Sequence, residues 1–396
     1  MKELSTIAQA VQASTTMAID ALFKQMKADG VDVIGFGAGE PDFNTPDEIK
    51  AAGIAAIENN VTRYTPAAGT VELRKAICAR MLADCGISYQ PNQVVATNGA
   101  KHAVYLALRA LVNPGDEVIL PAPYWVSYYE LIKMVGGVPV VVTATEAEHF
   151  KLTPEKLSAA ITSKTKCLIL NNPSNPTGMM YGEEELRGIA DVCVKNDLYV
   201  ISDEIYYGLV YDNRKFVSFA ALSPDVWERT IIINGVSKSY AMTGWRIGYA
   251  CANDQVAKVM ANYVSHSTGS ASSISQKASV TALTAPQDKI EEMRREFEAR
   301  RNYIVERMNQ IPGVSCIRPE GAFYVLMNLE QLIGRTIHGV EITNDDVFAD
   351  AFLKYGLVAV VPGSGFGAPN FVRWSYAASM ENIKEGLDRL EKFLAE

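Results

Sequence analysis

The stretch that decides the fold runs from Cys167 to Asp203. It reads Cys167-Leu-Ile-Leu-Asn171, then Asn172-Pro-Ser-Asn-Pro-Thr-Gly178, then a polar and apolar run from Glu183 to Asn196, then Tyr199-Val-Ile-Ser-Asp203. Two short apolar runs thus bracket a helix of more than ten residues. That pattern is expected of a mainly parallel sheet with helices on both faces, in which strands are buried on both sides and need no polar alternation.

Working outward, the alternation continues. Strands are expected at Val94–Thr97, Glu117–Leu120, Val138–Thr143, Thr230–Asn234 and Ile247–Cys251, with helices at Ala100–Leu111 and Tyr128–Val135. Upstream, a helix over Ser14–Asp29 stops at Gly30, a strand covers Val31–Phe36, and Gly37-Ala-Gly-Glu-Pro-Asp-Phe43 is too rich in Gly and Pro to be regular. Past Gln287 the character changes. A charged helix over Gln287–Ile311 leads to a strand at Gly321–Leu326, a helix at Asn344–Tyr355, strands at Val358–Val361 and Phe371–Ser375, and a closing helix at Glu381–Leu394. The expected organisation is α/β: a large domain over 45–285 with a mainly parallel sheet between helices. A smaller α+β domain is built from 1–44 and 286–396.

Composition removes several functions. The 396 residues are 48% apolar and carry a net charge of −8, with no basic block, which argues against nucleic-acid or anionic-membrane binding. No apolar run approaches the roughly 18 residues of a membrane span, and Met1–Ala10 lacks the apolar core of a secretory signal. Six cysteines without a Cys-x-x-Cys pair read as buried free thiols, and four histidines without ligand spacing argue against a metal site. A reducing cytoplasm fits this usage.

The unusual residues sit at the carboxyl ends of the expected strands, where open α/β sheets bind ligands. Asn172–Gly178 presents two Asn-Pro pairs and a Gly, either a rigid loop offering amides or a plain turn before the next helix. Asp203 ends an apolar strand, where a carboxylate needs a cation or hydrogen-bond donors; the alternative is a helix N-cap. After Thr230–Asn234 comes Gly235-Val-Ser-Lys-Ser-Tyr-Ala-Met-Thr-Gly-Trp-Arg-Ile-Gly248. Lys238 among small residues can act as a nucleophilic amine once desolvated, and Arg246 suits forked phosphate binding. An electron-sink cofactor needs this set: a lysine for a Schiff base, an acid for its ring nitrogen and an anion site for its phosphate.

These motifs resemble the signature of class I pyridoxal-phosphate aminotransferases, most nearly the bacterial aspartate aminotransferase branch. The similarity spans Gly39-Glu-Pro-Asp-Phe43 to Arg373-Trp-Ser-Tyr-Ala377. The resemblance implies the type I fold of pyridoxal-phosphate-dependent transferases and a ping-pong exchange of the amino group between L-aspartate and 2-oxoglutarate. Alternatives of the same fold act on alanine, aromatic amino acids, kynurenine or prephenate, or cleave their substrate as lyases. A pyridoxal-phosphate-sensing regulator is the remote one, disfavoured because Gly39 lies too early to leave room for a DNA-binding module.

By the same resemblance Lys238 would hold pyridoxal 5′-phosphate and move the Cα proton. Asp203 would pair with the ring nitrogen, Asn175 and Tyr206 with the ring oxygen, and Trp125 would stack on the ring. The phosphate would lie against Gly99, Ala100 and Lys101, with Ser237 and Arg246. Tyr64 would reach the phosphate of a neighbouring subunit, implying a homodimer with shared active sites. Arg373 would grip the substrate α-carboxylate beside Gly39, while Lys101, Ser14 and Thr16 would meet the second carboxylate. Ser14 and Thr16 read equally as caps of the first helix. Gln12 stands where prephenate-accepting relatives carry a lysine, which favours aspartate and glutamate as substrates.

Overall fold

A computed structural model describes residues 2–12 and 15–396. Its main sheet has seven strands: β1 Val94–Thr97, β2 Glu117–Ala122, β3 Val138–Thr143, β4 Thr165–Asn171, β5 Tyr199–Asp203, β6 Thr230–Gly235 and β7 Gly248–Cys251. Their spatial order is β1-β7-β6-β5-β4-β2-β3. All neighbours run parallel except β7, which is antiparallel to both β1 and β6. The central strands are apolar because both faces are covered. Ile201 and Ile233 pack into one cluster with Val104 and Leu108, whereas Val200 packs on the other face with Leu186 and Ile189.

Register brings the chemistry-bearing strand ends level. Asn171 pairs with Asp203, and Asp203 with Ile233. The loop carrying Ser237 and Lys238 therefore leaves the sheet beside Asp203.

A second, antiparallel sheet comprises β8 Ser315–Cys316, β9 Tyr324–Asn328, β10 Val361–Pro362 and β11 Phe371–Ser375, in the order β10-β11-β9-β8. The amino-terminal segment is tied to it. The Ser375 N–H donates to the Phe36 carbonyl at 2.9 Å, and the Phe36 ring lies 4.6 Å from that of Trp374, centroid to centroid. Arg373, in the middle of β11, is thereby fixed next to Gly37.

Several expectations shift. The strand expected at Val31–Phe36 shortens to Ile34–Gly35, paired with Val358–Ala359. The strand expected from Gly321 begins only at Tyr324, because Ala322 adopts a left-handed φ of 57°. The helix expected at Asn344–Tyr355 is α-helical only over Asp345–Ala351 and finishes in a wider π turn. Of the cysteines, Cys167, Cys193, Cys251 and Cys316 are buried, but Cys78 and Cys85 are only half-buried; all six are free. No helix among the described residues is long and apolar enough to cross a membrane.

One close approach links the fold to the site. A Cβ on Gly248, in β7, would collide with the backbone of Gly99 and Ala100 at the start of helix Ala100–Leu111. The chain cannot relieve this by moving a side chain. Gly248→Ala is expected to cost about 1–3 kcal/mol of stability, the usual range for overpacking, and to lower the thermal unfolding midpoint. An unchanged midpoint would show that the helix start can shift freely.

Candidate active site

The carboxyl ends of β4, β5 and β6 open into a cavity of about 430 Å³. Gly39, Ala100, Lys101, Trp125, Asn175 and Asp203 line it, together with Tyr206, Ser237, Lys238, Arg246 and Arg373. Gly99 abuts it through Arg246. Tyr64 does not join them: it is fully exposed on the surface of the single chain. Ser14 lies outside the described residues, and Thr16 is described only as part of helix Thr15–Ala28.

Lys238 sits on the short loop after β6, its amine donating to the Gly39 carbonyl. Burial lowers its pKa to about 8, with Arg373 and Arg246 adding to the fall and Glu40 and Asp203 opposing it. Near neutral pH the neutral fraction is therefore far larger than for an ordinary lysine, as a nucleophilic or proton-accepting amine requires.

Asp203 is 3% exposed, and burial pushes its pKa up to about 6. Two donors oppose this: the Tyr128 hydroxyl at 2.6 Å and the Ile205 N–H at 3.2 Å. No helix starts at Asp203, so the helix-cap alternative falls away. Among the described residues no cation pairs with this carboxylate within ion-pair distance, leaving it suited to a cationic ligand group. Its neighbour Glu204 points away from the cavity and accepts from Ser202 and Ser218.

The opposite end of the cavity favours an anion. Helix Ala100–Leu111 begins there, so its free N–H groups and dipole face the cavity. Gly99 takes a φ of 83°, and a Cβ there would collide with the Arg246 guanidinium. Arg246 donates to the Thr243 carbonyl at 2.9 Å and has no carboxylate partner among the described residues. Lys101 lies with its amine 4.9 Å over the Trp125 ring, its pKa lowered by burial and by Arg246.

Arg373 makes the third pole. It is 2% exposed, donates to Asn175 Oδ1 at 3.0 Å and to the Gly37 carbonyl at 2.8 Å, and its Nε has no partner. Burial lowers its pKa, and no carboxylate meets it among the described residues. The Tyr324 and Phe366 rings lie 4.5 and 4.9 Å from its guanidinium carbon. A buried guanidinium with rings against it and an unused N–H is chemically suited to a carboxylate.

Some residues in this constellation escaped the sequence reading. Tyr128 holds Asp203, and Tyr324 meets Tyr206 hydroxyl to hydroxyl at 2.9 Å. Asn171 accepts from the Asn175 N–H at 2.8 Å, so the asparagine that ends β4 shapes the loop carrying Asn175. Glu40 accepts from Thr243 at 2.8 Å, and Lys24 lines the cavity mouth. Asn171 and Glu40 lie inside quoted motifs and were legible there. Tyr128 and Lys24 sit on helices and Tyr324 on a strand buried along its length, where spacing carries no sign of a site.

The combination of a desolvated lysine, a buried acid and a glycine-cradled anion end fits pyridoxal phosphate, and the spare cations fit carboxylates. Comparison with known proteins agrees. The family model "Aminotransferase class I and II" matches residues 31–390. The aspartate aminotransferase of Bacillus subtilis is 46% identical over 392 residues, 99% of each chain. The aspartate/prephenate aminotransferase of Cereibacter sphaeroides is 45% identical over 398 residues, 100% of this chain and 99% of the relative. Among solved structures, the aspartate aminotransferase from Rhizobium meliloti superposes with a TM-score of 0.96 at 40% identity, covering 100% of this chain and 99% of the other. The aspartate aminotransferase from Thermus thermophilus with maleate gives 0.94 at 39% identity, covering 99% of this chain and all of the other. The chain belongs to the class I and II aminotransferases.

Proposed function

We propose that this enzyme exchanges the amino group of L-aspartate with 2-oxoglutarate, giving oxaloacetate and L-glutamate by a ping-pong cycle. The observation that carries the reading is Arg373, a buried cation with an unused N–H in the same cavity as Lys238 and a second cationic end. Such a cavity is built for a molecule with two carboxylates. Relatives named aspartate aminotransferase, one of them solved with the dicarboxylate maleate, support it.

When bound, pyridoxal phosphate supplies the electron sink and carries the amino group between half-reactions. The chain's own residues do the rest. Lys238 would anchor the cofactor, and its amine, once freed by substrate, would take the proton from substrate Cα and pass it to the cofactor's C4′. Asp203 would keep the ring nitrogen protonated, Asn175 and Tyr206 would serve the ring oxygen, and Trp125 would cover the ring face. Gly99, Ala100, Ser237 and Arg246 would receive the phosphate. Arg373 fixes the α-carboxylate beside Gly39, orienting the Cα–H bond toward Lys238. Lys101, with Ser14 and Thr16, takes the distal carboxylate. Both half-reactions use one site, so the same Arg373 grips every substrate.

We further infer a cytoplasmic homodimer, with 45–285 as the large domain and 1–44 and 286–396 as the small one. Tyr64 is fully exposed, and Ile54 and Ile57, one helical turn apart, are more than half exposed, which supports a partner subunit covering them. Prephenate as acceptor is the second reading, favoured by the aspartate/prephenate relatives.

A screen of amino donors with the purified enzyme tests the proposal: aspartate with 2-oxoglutarate is expected to be fastest. Absence of oxaloacetate would overturn it, and faster amination of prephenate would establish the second reading. Lys101→Ala is expected to lower kcat/KM at least about tenfold for aspartate, the scale of a lost charged hydrogen bond, and far less for an apolar amino acid. Equal loss for both would assign Lys101 to the phosphate alone.

Lys238→Ala is expected to remove nearly all turnover together with the cofactor's absorbance near the visible edge. In the intact enzyme, cofactor uptake should accelerate as pH rises through about 8 and then level off, because only the neutral amine attacks and its pKa is lowered to that value. Acceleration continuing to the ordinary lysine range of roughly 10 would contradict the assigned environment.

A further inference from the structure

We infer that Tyr128 is a positioning residue for the reaction, its hydroxyl holding the Asp203 carboxylate in the ionised form and in the orientation that the cofactor's ring nitrogen requires. The inference rests on the site proposed above and concerns how the acid in it is kept functional.

Three observations carry it. The first is contact: the Tyr128 hydroxyl donates to Asp203 Oδ2 at 2.6 Å, a short phenol–carboxylate bond. Next comes division of labour on the carboxylate, for the Ile205 N–H takes the other oxygen, Oδ1, at 3.2 Å. Two donors on two oxygens fix the carboxylate plane and leave lone pairs for a ligand. The third is confinement. Tyr128 is 2% exposed, packs edge-on against Trp125 at 5.2 Å between ring centroids, and sits on helix Ser127–Met134, whose Leu131 and Ile132 are buried. The hydroxyl has no room to turn elsewhere.

The physical need is clear. In dry surroundings a carboxylate is disfavoured, and burial raises the Asp203 pKa while the Tyr128 bond is the largest effect pulling it back. If Asp203 took the proton itself, the ring nitrogen would become neutral and the ring a poorer electron sink. Tyr128 biases the shared proton toward the ring nitrogen by stabilising the carboxylate on the other side of it. Its own pKa is raised well above the ordinary tyrosine value by burial and by Asp203, so it stays a donor.

The test is Tyr128→Phe, which keeps the ring and removes only the hydroxyl. The enzyme is loaded with pyridoxal phosphate labelled with ¹⁵N in the ring, and the nitrogen resonance is recorded at one neutral pH. The resonance is expected to move from the pyridinium range toward the neutral pyridine range. With it, kcat should fall about 10- to 100-fold, the scale of a hydrogen bond to a charged group, while KM for aspartate stays within about twofold because Arg373 is untouched. A hydroxyl that merely supported packing would alter stability without moving the nitrogen resonance. Asp203→Asn separates the two levels of the argument. A shifted resonance in Asp203→Asn but an unshifted one in Tyr128→Phe overturns the role of Tyr128 alone. An unshifted resonance in both overturns the placement of Asp203 at the ring nitrogen and the inference with it.

Discussion

Burial works against the charged form of three side chains around one cavity. It raises the pKa of Asp203 and lowers those of Lys238 and Arg373. Each of these charges would be better solvated on the surface, and none is closed into an ion pair among the described residues. The fold holds them by backbone register and by neutral donors and acceptors: Tyr128 and the Ile205 N–H for Asp203, Gly39 for Lys238, Asn175 and the Gly37 carbonyl for Arg373. This is the signature of a site whose electrostatics are completed by a ligand.

The two sheets contribute to it differently. Level strand ends in the seven-stranded sheet bring Asn171, Asp203 and the Lys238 loop together without long connections. The antiparallel sheet delivers Arg373 from the far side, and the packing of Phe36 on Trp374 places the Gly37–Gly39 backbone between them. The carbonyls of Gly37 and Gly39 accept from Arg373 and Lys238, so one short glycine-rich segment touches both the buried guanidinium and the buried amine.

Much of this was legible in the sequence because it is local. The run Cys167–Asp203 displays strand, loop, helix and strand in order, and the observed bounds differ by two residues or fewer. Asp203, Asn175, Lys238 and Arg246 declared themselves by standing where apolar periodicity stops. Direction did not: β7 carries the same apolar pattern as its neighbours yet runs against them. Nor did partnership across the chain, since Tyr128 and Asp203 are 75 positions apart and Tyr128 looks like any aromatic on an amphipathic helix. The left-handed backbone at Ala322 was hidden too, because nothing in Gly321-Ala-Phe-Tyr marks where the strand begins. Net charge was the weakest guide. A total of −8 coexists with a cavity whose charges are mainly positive, Lys24, Lys101, Lys238, Arg246 and Arg373 against Glu40 and Asp203.

The most direct measurement is a single half-reaction. Enzyme loaded with pyridoxal phosphate is mixed with L-aspartate and no oxo acid, and both the cofactor absorbance and the released oxo acid are followed. One equivalent of oxaloacetate per site is expected, with the visible-edge absorbance lost and then restored by 2-oxoglutarate as glutamate appears. Release of more than one equivalent without an acceptor, or no oxaloacetate at all, would contradict the account.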